Sequence, residues 1–291
     1  MNDRSALVLG ASGMVGMPLA QRLIEDGWKV FGAARFSDPA KHAEVERLGA
    51  CPIRFDVTKD DPGTLPDADA VFLEIWDPTK PDLIWPINFY GVGRVVERYA
   101  GVADVVNGCT INVYGDRPEA SKEETPCRPT NEYGRSRYAQ ERLIDFFAVR
   151  SNRKAIHVRY AHSNTAERGI IRRFAEAILE SRSLGPNPDA KMQVIGIEDF
   201  VRVTALAFER AACPPVWVNC CHPRIWTQRE LAEVIQDRLG RGAVVFDRDA
   251  GGVENSACAD ASRMVEWFGE PFVSLDELIQ RVVEHIGEER R

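Results

Sequence analysis

No run of apolar residues in this chain reaches the roughly 18 needed to cross a bilayer. The opening stretch MNDRSALVLGASG also has no basic region followed by an apolar run and a cleavage site. A cytoplasmic protein with no membrane partner is therefore expected. None of the seven cysteines forms a C-x-x-C pair or stands with a histidine at zinc-finger spacing, so they read as reduced thiols, and no structural metal is expected. Excess positive charge is missing too. The 37 Lys and Arg face 44 Asp and Glu, and a formal net charge of −7 repels a phosphate backbone instead of releasing its counterions. That argues against nucleic acid as the main partner. Internal repeats and low-complexity tracts are also lacking.

What is present is a globular composition, 44% apolar and 28% charged over 291 residues, enough for one large domain or two sharing a core. Short β-branched runs alternate with longer amphipathic segments in the first half. This pattern predicts strands at Ala6–Gly10, Lys29–Ala34, Ala50–Arg54, Ala70–Ile75, Asp104–Thr110 and Ala155–Tyr160. Helices are predicted at Met14–Asp26, Pro39–Leu48, Pro86–Ala100 and Glu132–Arg150. Right-handed crossovers between such units give an α/β fold, a Rossmann-type doubly wound parallel sheet. The alternation breaks after Tyr160. Residues 1–160 thus read as a dinucleotide-binding domain, and 161–291 as a smaller C-terminal α/β substrate-binding part with some segments returning to the core. Strands at Met192–Gly196, Val216–Cys220 and Val244–Phe246 are expected there. Helices are expected at Ile170–Glu180, Ile197–Ala211 and Gln228–Leu239, the last with a capping box at Thr227 and Glu230, followed by two closing helices.

The segment Gly10-Ala11-Ser12-Gly13-Met14-Val15-Gly16 joins the first strand to the first helix. Its glycines meet three steric demands: a tight turn, close backbone approach to a pyrophosphate, and packing of the helix start on the strand. The helix N-terminus then favours the phosphate charge. A strand–helix turn without a ligand could carry the same glycines, but the strand before and the helix after favour a dinucleotide. The second strand ends Phe31-Gly32-Ala33-Ala34-Arg35 and has no acid between Asp26 and Asp38 to accept from ribose hydroxyls. Arg35 suits a ribose phosphate, which favours NADP over NAD, although a solvated strand-end arginine would look alike. In Phe55-Asp56-Val57, Asp56 could accept from an adenine amino group or serve as a turn acid, and Val57 lies beside it.

Several further segments, in order, resemble the extended short-chain dehydrogenase/reductase superfamily, the group of the NAD-dependent epimerases and dehydratases. They are GASGMVG, INFYGVG with Asn88, Gly108-Cys109-Thr110, Val113-Tyr114-Gly115-Asp116, Tyr133-Gly134-Arg135-Ser136-Arg137, VRYAHS, IGIEDFVRVTALAFE, VWVNCC and DASRMVEWFGEPFVSLDELI. The resemblance covers nearly the whole chain. It implies a Ser/Thr–Tyr–Lys site in which Thr110 holds the substrate oxygen and Tyr133 exchanges its proton. It further implies that Asn88 shapes a helix near that site, that Tyr160 lies on the cofactor side, and that the protein forms a homodimer. A phenol with a pKa near 10 needs a positive neighbour to work near neutrality. The family places a lysine four residues on, one helical turn away. Here that residue is Arg137, which keeps the charge but in practice does not give up its proton.

A nucleotide-sugar enzyme of this family carries Asn where His162 stands, and an arginine close to where Met192 stands. Both departures weaken a nucleotide-diphosphate substrate. Trp76 and Trp85 bracket the loop after the fourth strand and are candidate pocket walls, as are Asn112 and His162; packing roles are equally compatible with the tryptophans. The leading expectation is an NAD(P)-dependent oxidoreductase interconverting alcohol and carbonyl on a sugar, polyol or similar small molecule. A sugar or nucleotide-sugar epimerase or dehydratase that recycles its nicotinamide internally is the rival. A nicotinamide-binding regulatory protein with little catalysis is the third reading, kept open by Arg137.

Overall fold

The computed structural model describes residues 4–76, 80–247, 249 and 257–291. Eleven strands are found among them: β1 (Ser5–Leu9), β2 (Lys29–Ala34), β3 (Cys51–Arg54), β4 (Ala70–Leu73), β5 (Asp104–Thr110), β6 (Ala155–Tyr160), β7 (His162–Asn164), β8 (Lys191–Met192), β9 (Val194–Gly196), β10 (Val216–Cys220) and β11 (Trp226–Thr227). The longer helices are α1 (Gly16–Glu25), α2 (Pro39–Arg47), α3 (Pro81–Trp85), α4 (Val92–Tyr99), α5 (Glu132–Ser151), α6 (Ile170–Leu179), α7 (Ile197–Ala207), α8 (Gln228–Leu239), α9 (Ser262–Phe268) and α10 (Leu275–Glu289).

The main sheet runs β10-β6-β5-β4-β1-β2-β3, with β3·β2, β2·β1, β1·β4 and β4·β5 paired in parallel. This is the doubly wound order predicted from the strand–helix alternation, and its switch point lies between β1 and β4. Strands covered on both faces must be apolar on both faces, and Ala6 to Leu9 and Ala70 to Leu73 are all buried. One side of the sheet packs Leu7, Leu9, Val71, Leu73 and Val105 against Val92, Val95, Ile144 and Ala148. Each such Leu, Val or Ile side chain contributes about 1.5–3 kcal/mol on burial.

The chain divides into two compact units. The first comprises Met1–Val113, Pro129–Arg159 and Val201–Val218; the second comprises Tyr114–Arg128, Tyr160–Phe200 and Asn219–Arg291. In the second, α6, α8 and α10 enclose a core of Ile171, Phe174, Ile178, Leu231, Ile235, Ile279 and Val282. The capping box of Thr227 and Glu230 forms as the sequence predicts. Also in this unit, Asn219 gathers the 114–128 loop: its side chain accepts from the Tyr114 hydroxyl and donates to the Ser121 carbonyl, while its backbone N–H donates to Glu123.

Three expected elements differ. The helix expected over Pro86–Ala100 begins earlier, as α3, passes through a π-helical turn at Pro86–Gly91 and continues as α4. The strand expected over Met192–Gly196 divides at Gln193, whose buried amide is used by Ala259 and by the His222 carbonyl. The strand expected over Val244–Phe246 is a single bridge from Val245 to Ser183.

Candidate functional site

At the β1–α1 turn, Gly10 has φ +97°, and a β-carbon there would stand 2.2 Å from the Glu74 carbonyl oxygen. A β-carbon on Gly16 would stand 2.2 Å from the Gly10 carbonyl oxygen. The first and third glycines are therefore sterically required, one by the turn and one by the approach of α1 to it. Gly13 between them is exposed, its N–H closing a turn onto Gly10. The result is a backbone cradle at the start of a ten-residue helix, which fits a pyrophosphate. Ser12 and Met14 flank it half-buried, whereas the Val15 side chain belongs to the core and leaves only its backbone for a ligand.

Arg35 follows β2 and is exposed, with no carboxylate at ion-pair distance among the described residues. Asp56 is half-buried and largely occupied with its own turn, accepting from the backbone N–H and hydroxyl of Thr58. Although partial burial pushes the other way, those bonds, with Lys59 and Arg35 nearby, hold its carboxyl below the usual range. Val57 is buried, and its carbonyl oxygen would meet a β-carbon on Gly91 at 2.6 Å, so Gly91 lets the π-helical turn approach the strand end closely.

The first turn of α5 carries Tyr133, half-buried, and Arg137, fully buried one turn further on. Asn131 caps this helix by accepting from Gly134, whose missing side chain admits the Asn112 carbonyl at 2.7 Å from the β-carbon position. Asn112 in turn donates its backbone N–H to the Thr110 hydroxyl over 3.2 Å. The end of β5 and the start of α5 thus meet, with the Thr110–Asn112 turn against Gly134, the residue after Tyr133. Asn88, in the π-helical turn, donates its amide to Ser136, and Ser136 donates to the Tyr133 carbonyl.

The guanidinium of Arg137 donates to the carbonyl oxygens of Ile75 and Gly108 and lies 6.0 Å from the Trp76 ring centroid. It straddles the ends of β4 and β5. Beside it lies a residue that the sequence patterning passes over. Glu74, directly after β4, is buried with neither carboxyl oxygen hydrogen-bonded among the described residues. Burial pushes its carboxyl up to about 8, against the pull of Arg137. Its one sequence signal is an acid within the apolar stretch AVFLEIW.

Trp85 is tied to α5, its indole N–H donating to Glu132 over 2.9 Å, and it packs edge-on against Phe89. Tyr160 and His162 belong to the second unit. Tyr160 is buried against Phe200, ring centroids 4.5 Å apart, and His162 is exposed on β7. Among the described residues no group of three or more His, Cys, Asp or Glu could hold a metal ion, and all seven cysteines are free. No helix there is long and apolar enough to cross a membrane.

A doubly wound sheet with a glycine cradle after its first strand, and a Thr–Tyr–x-x-x–basic cluster where β5 meets α5, defines the extended short-chain dehydrogenase/reductase class. Within that class, residues 6–220 match the NAD dependent epimerase/dehydratase family, and the chain belongs to it. A UDP-glucose 4-epimerase of Streptomyces lividans is 31% identical over 180 residues, which are 56% of this chain and 54% of that protein. The chain thus spans about half the length of that relative. A dTDP-6-deoxy-L-talose 4-dehydrogenase (NAD(P)(+)) of Kitasatospora kifunensis is 24% identical across 80% of this chain and 78% of its own. Among solved structures, the Bacillus cereus UDP-glucuronic acid 4-epimerase in complex with UDP-glucuronic acid and NAD superposes with a TM-score of 0.85 at 20% identity, covering 98% of this chain and 99% of the other. That last likeness concerns the fold.

Proposed function

We propose that the protein is a nicotinamide-dependent enzyme that oxidises and re-reduces one carbon of a nucleotide-linked sugar, recycling its cofactor within a single site as an epimerase or dehydratase does. The observation that carries this reading is the packing of the Thr110–Asn112 turn against Gly134, the neighbour of Tyr133, at the β5–α5 junction, with Arg137 buried one turn further along α5. Epimerase activity in the relatives favours internal recycling over the net oxidoreduction that the sequence alone puts first.

In this reading Gly10, Ser12, Gly13 and Met14, with the Val15 and Gly16 backbone, hold the cofactor pyrophosphate. Arg35 receives a 2′-phosphate, so NADP is preferred to NAD; Asp56, Val57 and Tyr160 complete the cofactor contacts. When bound, the nicotinamide supplies a hydride acceptor and donor. Tyr133 takes the proton from the substrate hydroxyl and returns it, because the Arg137 charge stabilises its phenolate. Thr110 orients the reacting oxygen. Asn88 acts through Ser136 on the Tyr133 turn, and Trp76, Trp85, Asn112 and His162 line the substrate side.

A second reading, net alcohol–carbonyl oxidoreduction on a smaller sugar or polyol, is favoured by Arg137 in place of lysine and by His162 and Met192 at the nucleotide-sugar positions. The test is incubation with UDP-glucose, UDP-glucuronic acid and dTDP-sugars plus NADP or NAD, following both the sugar and the reduced nicotinamide. Sugar interconversion without net reduced cofactor supports the proposal, and accumulating reduced cofactor supports the second reading. Cofactor binding with neither reaction, on these sugars and on simple polyols, overturns both in favour of a binding protein.

The homodimer belongs to this proposal as well. Phe89, Pro129, Tyr138, Leu143 and Phe146 line an apolar groove on the outer face of α5, where Tyr90, Phe146 and Val149 are exposed. A second copy of the chain would cover it, and a solution mass equal to one chain would argue against that.

A further inference from the structure

The carboxyl of Glu74 is enclosed where β1, β4 and β5 end. A β-carbon on Gly108 would stand 2.5 Å and 2.6 Å from its two oxygens, so the carboxyl lies against the bare Cα of β5. The backbone of Glu74 is in turn pressed by Gly10, whose β-carbon would overlap its carbonyl. The glycines of the cofactor turn and of β5 therefore accommodate this residue from both sides. Arg137 grips the same two segments through the carbonyls of Ile75, the residue after Glu74, and of Gly108.

A buried carboxylate without hydrogen-bond donors is held in its ionised form only at high cost, and a buried guanidinium next to it is the natural counter-charge. We propose that Glu74 is a positioning residue paired with Arg137: neutral, it leaves the guanidinium charge uncancelled at the cofactor end of the sheet; ionised, it cancels that charge. This rests on the reading of the β4–β5 end as the cofactor side.

The groups around the pair make Glu74 the one to change. From β1, Leu9 and Gly10 present nothing titratable, and neither do Ile75 and Trp76 after β4. On β5, burial, with Glu141 nearby, pushes the Cys109 thiol well up. Despite burial, Arg159 holds Glu141 down to about 2. Between these extremes Glu74 ionises at about 8. Tyr133, one turn before Arg137 on α5, is also titratable, so each comparison is also made in a Tyr133→Phe background.

The test has two arms. In ligand-free protein, pH-difference infrared spectra should show a neutral carboxylic acid lost between about pH 7 and about pH 9 in the wild type and absent in Glu74→Gln. In Arg137→Gln that loss should move about one to three pH units higher. In the second arm, NADP and NAD dissociation constants are measured by fluorescence at about pH 6.5 and about pH 9. Affinity should weaken at least about threefold across that range in the wild type and stay level in Glu74→Gln. Glu74→Gln keeps the shape of the neutral acid; Glu74→Met serves if the amide is not tolerated. An acid band unmoved by Arg137→Gln, or a Glu74→Gln protein keeping the wild-type pH slope, overturns the pairing. Absence of nicotinamide binding at both pH values overturns the functional reading instead, and the infrared shift still decides the pairing.

Discussion

The side-chain amide of Asn88 donates to the Ser136 hydroxyl over 3.1 Å, and Ser136 passes a hydrogen bond of 2.8 Å to the carbonyl of Tyr133. A residue in the π-helical turn is thereby joined to the turn of α5 that carries the proposed acid/base. Both Asn88 and Ser136 are fully buried, so removing either leaves polar atoms without their partner. Asn88→Ala should lower stability by about 1–3 kcal/mol in urea unfolding. It should lower turnover more than cofactor affinity, because the proposed cofactor cradle lies apart from it, at the β1–α1 turn. Equal loss of both would point to general unfolding instead.

Gly108 and Glu74 test each other sterically. Gly108→Ala drives a methyl to 2.5 Å from the Glu74 carboxyl and should cost about 1–3 kcal/mol. Adding Glu74→Ala opens the space, so the double variant should be less destabilised than the sum of the singles, by more than about 0.5 kcal/mol. Strict additivity in a double-mutant cycle would contradict the contact.

Two buried carboxyls bend the stability curve in opposite directions. Against its own burial, Glu141 is held to about 2 by the charge and paired hydrogen bonds of Arg159, well below its ordinary value. Its contribution is complete above that ordinary value and is lost as pH falls toward 2. Glu74, raised by burial to about 8, works the other way: stability present below the ordinary glutamate range is lost as pH rises through 8. Glu74→Gln should therefore gain stability relative to wild type between about pH 5 and about pH 9, reaching a few kcal/mol. Arg159→Met should cost about 3–5 kcal/mol at neutral pH, because it strands the Glu141 charge. Thermal unfolding across that pH range reads both, and a Glu74→Gln protein tracking wild type at every pH would refute the first.

Much of this was legible in sequence because the sheet rests on local signals. β-branched runs between helical periods put β1, β2, β5 and β6 within a residue of their places, and the glycine turn is short-range chemistry. The π-helical turn at Pro86–Gly91 was not legible, since a wider turn leaves no mark in a 3.6-residue period. Glu74 was passed over for a different reason. Its meaning comes from Gly108 and Arg137, distant in sequence and brought to it only by the β4–β5 pairing. Likewise the sequence suggested that Arg137 serves Tyr133 electrostatically, but not that its fork would be taken up by two strand-end carbonyls.

The proposed preference for NADP rests on Arg35, exposed after β2. If it receives the 2′-phosphate, Arg35→Ala should weaken NADP by about 1.5–3 kcal/mol, roughly 10-fold or more, and leave NAD nearly unchanged. Titrating both cofactors against both proteins measures this directly. Equal weakening would show that Arg35 acts on phosphates common to the two.

The sharpest test of the chemistry separates Tyr133 from Arg137. Tyr133→Phe removes the hydroxyl proposed to exchange the substrate proton but keeps the ring, so turnover should fall at least about 100-fold with cofactor affinity intact. Arg137→Lys keeps the charge yet shortens the fork that spans Ile75 and Gly108, so stability should drop before charge is lost. If the charge alone serves Tyr133, this variant retains a pH–rate profile like wild type at lower stability. A profile displaced upward in Arg137→Gln, with Arg137→Lys unshifted, would tie the tyrosine's proton exchange to the cation. Profiles unmoved in both variants would leave Arg137 a clamp between β4 and β5, and the phenolate would then need another source of positive charge.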